Sequence, residues 1–136
     1  VTGRLEQSEE DDLVIAKARL RYLRTSPQKA RLVVDQIRNR GVNEALSMLR
    51  NHKRVVARDL EKLLHSAVAN ASVGEQRVDP DRLFVSRAFV DAGPTMKRAR
   101  HRAMGRVFRI LKRSCHVTLE LDTREKAQPS SASETA

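Results

Sequence analysis

The sequence predicts an α+β domain built, in chain order, from one strand, three helices and a long β-hairpin. Three observations carry this reading. Apolar residues alternate near the start, recur at helical spacing through the middle, and alternate again after a Gly/Pro-marked loop. The 136 residues suit one domain with tails, and a 40% hydrophobic content supports a modest core. Cations crowd the place where the second alternating stretch should turn back on itself, too polar for a core and marked by Gly and Pro.

Residues 1–12 hold five acids (Glu6, Glu9, Glu10, Asp11, Asp12) against Arg4 and little that is apolar, which reads as a solvated, flexible tail. The domain is expected over residues 13–122. From Leu13 to Tyr22, Ala16, Ala18, Leu20 and Tyr22 fall on one side of a strand and Lys17, Arg19 and Arg21 on the other. Ser26 is then read as an N-cap with Pro27 at the first helical position, followed at helical spacing by Ala30, Val33, Val34 and Ile37. Gly41 supplies the expected stop, and Asn43 the expected cap of a short second helix carrying Leu46 and Leu49. A third helix is expected from near Lys53, with the stripe Val56, Leu60, Leu63, Leu64, Ala67, Val68 and Ala71.

Gly74 and Asp79-Pro80 mark the loop that ends the helical part. Leu83 to Val90 reads as a strand, and Cys115, Val117, Leu119 and Leu121, alternating with Ser114, His116, Thr118 and Glu120, form the clearest strand of all. Arg106 to Lys112 is assigned to a strand, although its local pattern also suits a helix. The hairpin is thus expected over about 83–118. If roughly 12 residues per arm project at about 3.3 Å each, it reaches on the order of 40 Å. Such a hairpin is marginal alone in water, so a partner must complete it. Residues 123–136 are read as a second disordered tail, rich toward the end in Ser, Ala, Thr and Pro.

With 27 Lys+Arg against 17 Asp+Glu the formal charge is +10, and a polyanion is the simplest partner for that excess. Nucleic acid is favoured over membrane because no apolar run approaches the roughly 20 residues that span a bilayer. The polar, acidic first dozen residues do not match a signal peptide. A lone cysteine, Cys115, excludes an internal disulfide and is read as a small buried residue.

Between Ala92 and Arg113 stand Lys97, Arg98, Arg100, Arg102, Arg106, Arg109, Lys112 and Arg113 with no acid among them. A solvated surface normally mixes both signs, so this run reads as an interaction surface, and its arginines suit folded RNA. The Lys17/Arg19/Arg21 stripe, with no acid on the same strand face, leans the same way against the simpler reading of a solvated strand. Lys53, Arg54, Arg58 and Lys62 alternate with Asp59 and Glu61 and read as an ordinary mixed surface. The four histidines show no metal-ligand spacing, and no phosphate loop, nucleophile elbow or carboxylate pair stands out, so neither metal, cofactor nor catalysis is expected. With 3% aromatic residues, a stacking platform for single strands is not expected either.

Three blocks carry a family likeness. Ser26-Pro27-Gln28-Lys29-Ala30-Arg31-Leu32-Val33, Ala67-Val68-Ala69-Asn70-Ala71, and Phe89-Val90-Asp91-Ala92-Gly93-Pro94-Thr95-Met96-Lys97-Arg98 resemble, in order, the bacterial-type ribosomal protein L-twenty-two family. The last continues without a gap through Arg102-Ala103-Met104-Gly105-Arg106 to Arg109-Ile110-Leu111-Lys112-Arg113, and the likeness covers about residues 14–122. It implies three helices packed on a small three-stranded antiparallel sheet with a long protruding hairpin.

The resemblance also implies a structural, non-enzymatic constituent of the large ribosomal subunit that binds its rRNA and helps its assembly. Lys17, Arg19, Arg21, Lys29 and the eight hairpin cations are the expected rRNA contacts. Met96 through Ala103 (Met96, Lys97, Arg98, Ala99, Arg100, His101, Arg102, Ala103) would form the tip in the peptide exit tunnel, with Ala99 to Ala103 as the turn and Met96 to Arg98 in the segment linked with macrolide resistance. Where the family commonly carries bulkier apolar residues and a proline, this chain has Ala99, Arg100 and His101, a more basic tip. Expected partners are large-subunit rRNA, neighbouring ribosomal proteins and the nascent polypeptide, with no membrane and no small-molecule substrate. The expected location is the ribosome, cytoplasmic or organellar. The alternative function is a free-standing basic RNA-binding regulator, which would need a dimer surface or a recognition helix.

Overall fold

A computed structural model describes residues 14–74 and 78–123. The tail expected at residues 1–12 lies outside the described residues, as does the other tail from residue 124 onward. The elements are β1 (Ala16–Leu23), α1 (Pro27–Ile37), α2 (Val42–Arg50), α3 (Val56–Val73), β2 (Leu83–Ala92), β3 (Met96–His101), β4 (Val107–Lys112) and β5 (Cys115–Thr123). Three helices and antiparallel strands make an α+β fold, as the residues and the family likeness imply. Thr123, expected in the tail, closes β5 opposite Leu83.

The start of α1 is local chemistry. Ser26 is extended, its hydroxyl accepts the Lys29 amide at 3.4 Å, and Pro27 occupies the first turn where a missing N–H costs nothing. Replacing Ser26 by Ala is expected to remove about 1 kcal/mol of stability. A urea midpoint identical to that of the parent would show that this long bond contributes nothing.

The end of α1 differs from expectation. The helix stops at Ile37, and the left-handed residue is Asn39 (φ 63), a role Asn tolerates. Gly41 instead precedes α2 as its N-cap, at φ −60. Asn43 therefore sits inside α2, where its amide donates to Asp81 Oδ1 at 2.7 Å. The third helix begins at Val56, a few residues later than the pattern near Lys53 suggests.

Strands β1, β5 and β2 form an antiparallel sheet in that order, with β5 in the centre. The helices cover one face: α1 packs on β2, α3 on β1 and β5, and α2 on α3. Ala30, Val33, Val34 and Ile37 of α1 and Leu60, Leu64, Ala67 and Ala71 of α3 meet Ala18, Val85, Val117, Leu119 and Leu121 in one core.

Because β5 is central, its second face is buried too. Thr118 is 1% and Glu120 2% exposed, whereas alternation alone makes them outward polar residues. Register sets Glu120 opposite both Lys17 and Arg87, and Thr118 opposite Arg19 and Phe89, so long side chains of the flanking strands cover them. Tyr22 also departs from its expected inward side. The register shifts between Leu20 and Leu23, Tyr22 takes φ 58, and the ring is 58% exposed. Its amide donates to His116 Nδ1 at 2.9 Å, and the two rings meet edge-on at 4.9 Å.

The outer edge of β2 is sealed. Arg31 of α1 and Arg38, the residue just past its end, each aim a guanidinium at a β2 carbonyl, Val90 O at 3.0 Å and Ala88 O at 2.7 Å. Asn39 N donates to Val85 O at 2.9 Å, and Val85 N donates to Arg40 O at 3.0 Å. Three carbonyls and one amide that could template another strand are thereby occupied.

Candidate nucleic-acid interface

Beyond the body the two arms of the hairpin continue as a separate ladder, β3 with β4. Its register pairs Met96 with Lys112, Lys97 with Leu111, Arg98 with Ile110, Ala99 with Arg109, Arg100 with Phe108 and His101 with Val107. All twelve of these residues are exposed. Six residues per strand at about 3.3 Å extend the ladder by roughly 20 Å, and the joining residues and turn lengthen the arm beyond it, while β2 and β5 belong to the body sheet.

Directly opposed residues share a face. One face therefore carries Arg98, Arg100 and Lys112 among Met96, Phe108 and Ile110. The other carries Lys97 and Arg109 among Ala99, His101, Val107 and Leu111. No pair sets two Lys or Arg side chains opposite each other. Sliding one strand by a residue would oppose Lys97 to Lys112 and Arg100 to Arg109, or Arg98 to Arg109 in the other direction. Like-charge repulsion thus selects the observed register and spreads cations over both faces.

The turn lies further along than expected. β3 runs through His101, and Arg102 N donates to Arg106 O at 2.8 Å to close the loop. Within it Met104 (φ 61) and Gly105 (φ 68) are both left-handed, and Met104 is 97% exposed. The turn is therefore 102–106, and Ala99, Arg100 and His101 belong to the strand. Arg102 stacks back over the Phe108 ring at 5.5 Å, so one cation of the tip already has an aromatic support.

The ladder joins the body through a tight crossing. Gly93 N donates to Ser114 O at 2.9 Å, the Ser114 hydroxyl donates to Pro94 O at 2.6 Å, and Arg24 Nη1 donates to Arg113 O at 2.7 Å. A Cβ on Gly93 would stand 2.6 Å from Ser114 Oγ. Arg24 and Ser114 carry no signal in the sequence that marks them for this role, since their partners lie 89 and 20 residues away, respectively.

The remaining expected contact residues lie on the body. Lys17 is on β1, but its ammonium sits 3.0 Å from Glu120 Oε1, so the stripe does have an acid on its face, supplied by the neighbouring strand. Glu120 has its other oxygen buried without a hydrogen bond, 4.0 Å from Arg87 Nη1. Arg19 and Arg21 line a cleft of about 400 Å³ between β1 and α3, together with Arg24 and Lys62. Alternation on α3 had made Lys62 part of a mixed surface, and the fold brings it to the stripe. Lys29 is exposed in the first turn of α1, apart from these groups. Cys115 is buried, and burial pushes its thiol up against a smaller opposing pull from the Arg31 guanidinium. Among the described residues no cluster of three or more His, Cys, Asp or Glu could hold a metal, and no helix is long and apolar enough to cross a membrane.

A small α+β body with a projecting acid-free arm, cationic on both faces, has the charge pattern of nucleic-acid-binding proteins. Comparison with known proteins gives the family. Residues 18–122 match the model of ribosomal protein L22p/L17e. The chain is 47% identical over 109 residues to the large ribosomal subunit protein uL22 of Solibacter usitatus, covering 80% of this chain and 96% of that one. It is 51% identical over 106 residues to the protein of the same name from Anaeromyxobacter sp. strain K, covering 78% and 73%. The chain belongs to the ribosomal protein L22p/L17e family and is a structural ribosomal component, not an enzyme.

Proposed function

We propose that this chain is an integral protein of the large ribosomal subunit that holds large-subunit rRNA through its hairpin, aids folding of that RNA during assembly, and brings the hairpin tip to the nascent-peptide exit tunnel. The observation that carries the reading is the β3–β4 ladder, exposed on both faces with cations on each. Two bare faces leave a two-stranded ribbon short of stabilisation in water. RNA segments packed on both sides would supply it, with phosphates taking the cations and bases or riboses taking Phe108, Ile110, Val107 and Leu111. Affinity then comes mainly from phosphate contacts and specificity from RNA shape.

At the tip, residues 96–103 would approach the tunnel, joined by Met104 and Gly105, which complete the turn. The nascent polypeptide is the partner this surface would meet, and neighbouring large-subunit proteins are the partners of the body. The N-terminal acids would stay outside the RNA, since phosphates repel them.

Sedimentation of a lysate of the source cells through a high-salt sucrose gradient, following this chain by mass spectrometry, tests the proposal. Stoichiometric retention on the large subunit is expected. Release into the light fractions would favour the free-standing regulator instead.

A further inference from the structure

We infer that the cleft between β1 and α3 is a docking groove for an extended acidic segment, and that its occupant in the isolated protein is the chain's own residues 6–12. The groove is walled by Arg19, Arg21 and Arg24 from β1 and its end, and by Lys62 from α3, with Asp59 the single acid on its lining. None of the four cations forms an ion pair among the described residues. Arg24 spends one N–H on the Arg113 carbonyl, which leaves its charge uncancelled. Four cations against one acid in a concave site make a local positive potential that an anionic ligand relieves.

Two features favour a peptide over a phosphate backbone as the occupant. The lining also contains Leu20, Leu23 and Leu63, apolar surface that a row of phosphates would not use. The wall, β1, is an outer strand of the sheet. An edge strand offers main-chain partners to an extended segment, while side-chain pockets add selectivity.

Residues 6–12 meet these requirements. They hold Glu6, Glu9, Glu10, Asp11 and Asp12 and no cation, and they are covalently tethered next to the groove. The backbone bends at Ile15, just before β1. A reversal near residue 13 lays seven residues back along the strand over roughly 23 Å at about 3.3 Å per residue. Counted back from residue 13, Glu6 would then lie opposite Leu20, between Arg19 and Arg21, with Glu9 opposite Lys17. The tether supplies an effective concentration that a free acidic peptide lacks. If the body binds RNA as proposed above, the same cations cannot serve both ligands, so the acids compete with phosphate at this groove until rRNA displaces them.

Paramagnetic relaxation on the full-length protein tests the contact directly. Ser8→Cys is labelled with a nitroxide, since the native Cys115 is buried. Amide signals of residues 19–24 and 59–66 are expected to lose most of their intensity at low salt. They should recover when salt is raised to about 0.5 M, where screening reaches within several ångströms, and when Glu6, Glu9 and Glu10 are replaced by Gln. Undiminished signals at low salt would overturn the proposal. Mixing labelled chain with unlabelled, isotope-enriched chain separates the occupants: loss of intensity in that mixture would assign the groove to a second copy and overturn the intramolecular assignment. Adding folded large-subunit rRNA should restore the signals. If RNA binds and the broadening persists, competition is refuted while docking stands; if RNA does not bind at all, it is the RNA reading that fails.

Discussion

Replacing Arg98, Arg100, Arg106 and Arg109 together by glutamine is expected to weaken binding of the full-length chain to large-subunit RNA by on the order of 10³-fold at about 0.1 M salt. The magnitude follows from counterion release. Each phosphate contact adds about 0.7–0.9 to the slope of log affinity against log salt, so losing four should flatten that slope by roughly three units. The folded body should be indifferent, because none of these side chains enters the core and no acid partners them among the described residues. Circular dichroism and a urea midpoint equal to those of the parent would confirm that the loss belongs to binding. A salt slope equal to the parent's would show that the arm is not the RNA-contacting element. Arg102 is left out of the set because its stacking on Phe108 gives it a second role at the turn.

The second large effect is expected at the crossing that joins arm to body. Gly93→Ala places a methyl group 2.6 Å from Ser114 Oγ and 3.2 Å from the Ser114 carbonyl carbon and oxygen. The strands cannot part freely, because the Gly93 amide and the Ser114 carbonyl are bonded at 2.9 Å and Ser114 is itself tied to Pro94. Overpacking of this kind costs about 1–3 kcal/mol. Ser114→Gly in the same chain removes the hydroxyl clash but not the backbone one, so partial recovery is expected. The measurement is the urea midpoint of the two variants against the parent. A Gly93→Ala midpoint unchanged from the parent would mean the crossing relaxes without cost. Since the crossing also aims the arm, subunit incorporation should fall together with stability.

What could be read from the sequence divides along a physical line. Ser26-Pro27 was legible because capping is settled within four residues. The core stripes of α1 and α3 were legible because burial repeats with the helical period. The arm was legible because eight cations without an acid make a pattern that needs no fold to be seen. What failed depended on neighbours. Nothing in residues 114–121 says that β5 is the middle strand, so the burial of Thr118 and Glu120 was invisible. The Lys17–Glu120 pair spans the whole domain, and alternation along β1 alone made the stripe acid-free. Tyr22 left its expected side because a register shift inserts a left-handed residue that alternation does not encode. Asn39 took the stop assigned to Gly41 since both residue types tolerate that conformation. The body's basic groove joins residues from β1 and α3, so only the fold could assemble it.

The guanidiniums of Arg31 and Arg38, with the strap at residues 39–41, give the three-stranded sheet a valence of one. A sheet with two open edges can add copies at both and grow into a filament; one with a single open edge can at most pair. Closing the β2 edge with two arginines leaves β1 as the remaining edge, so association edge to edge terminates at a pair instead of polymerising.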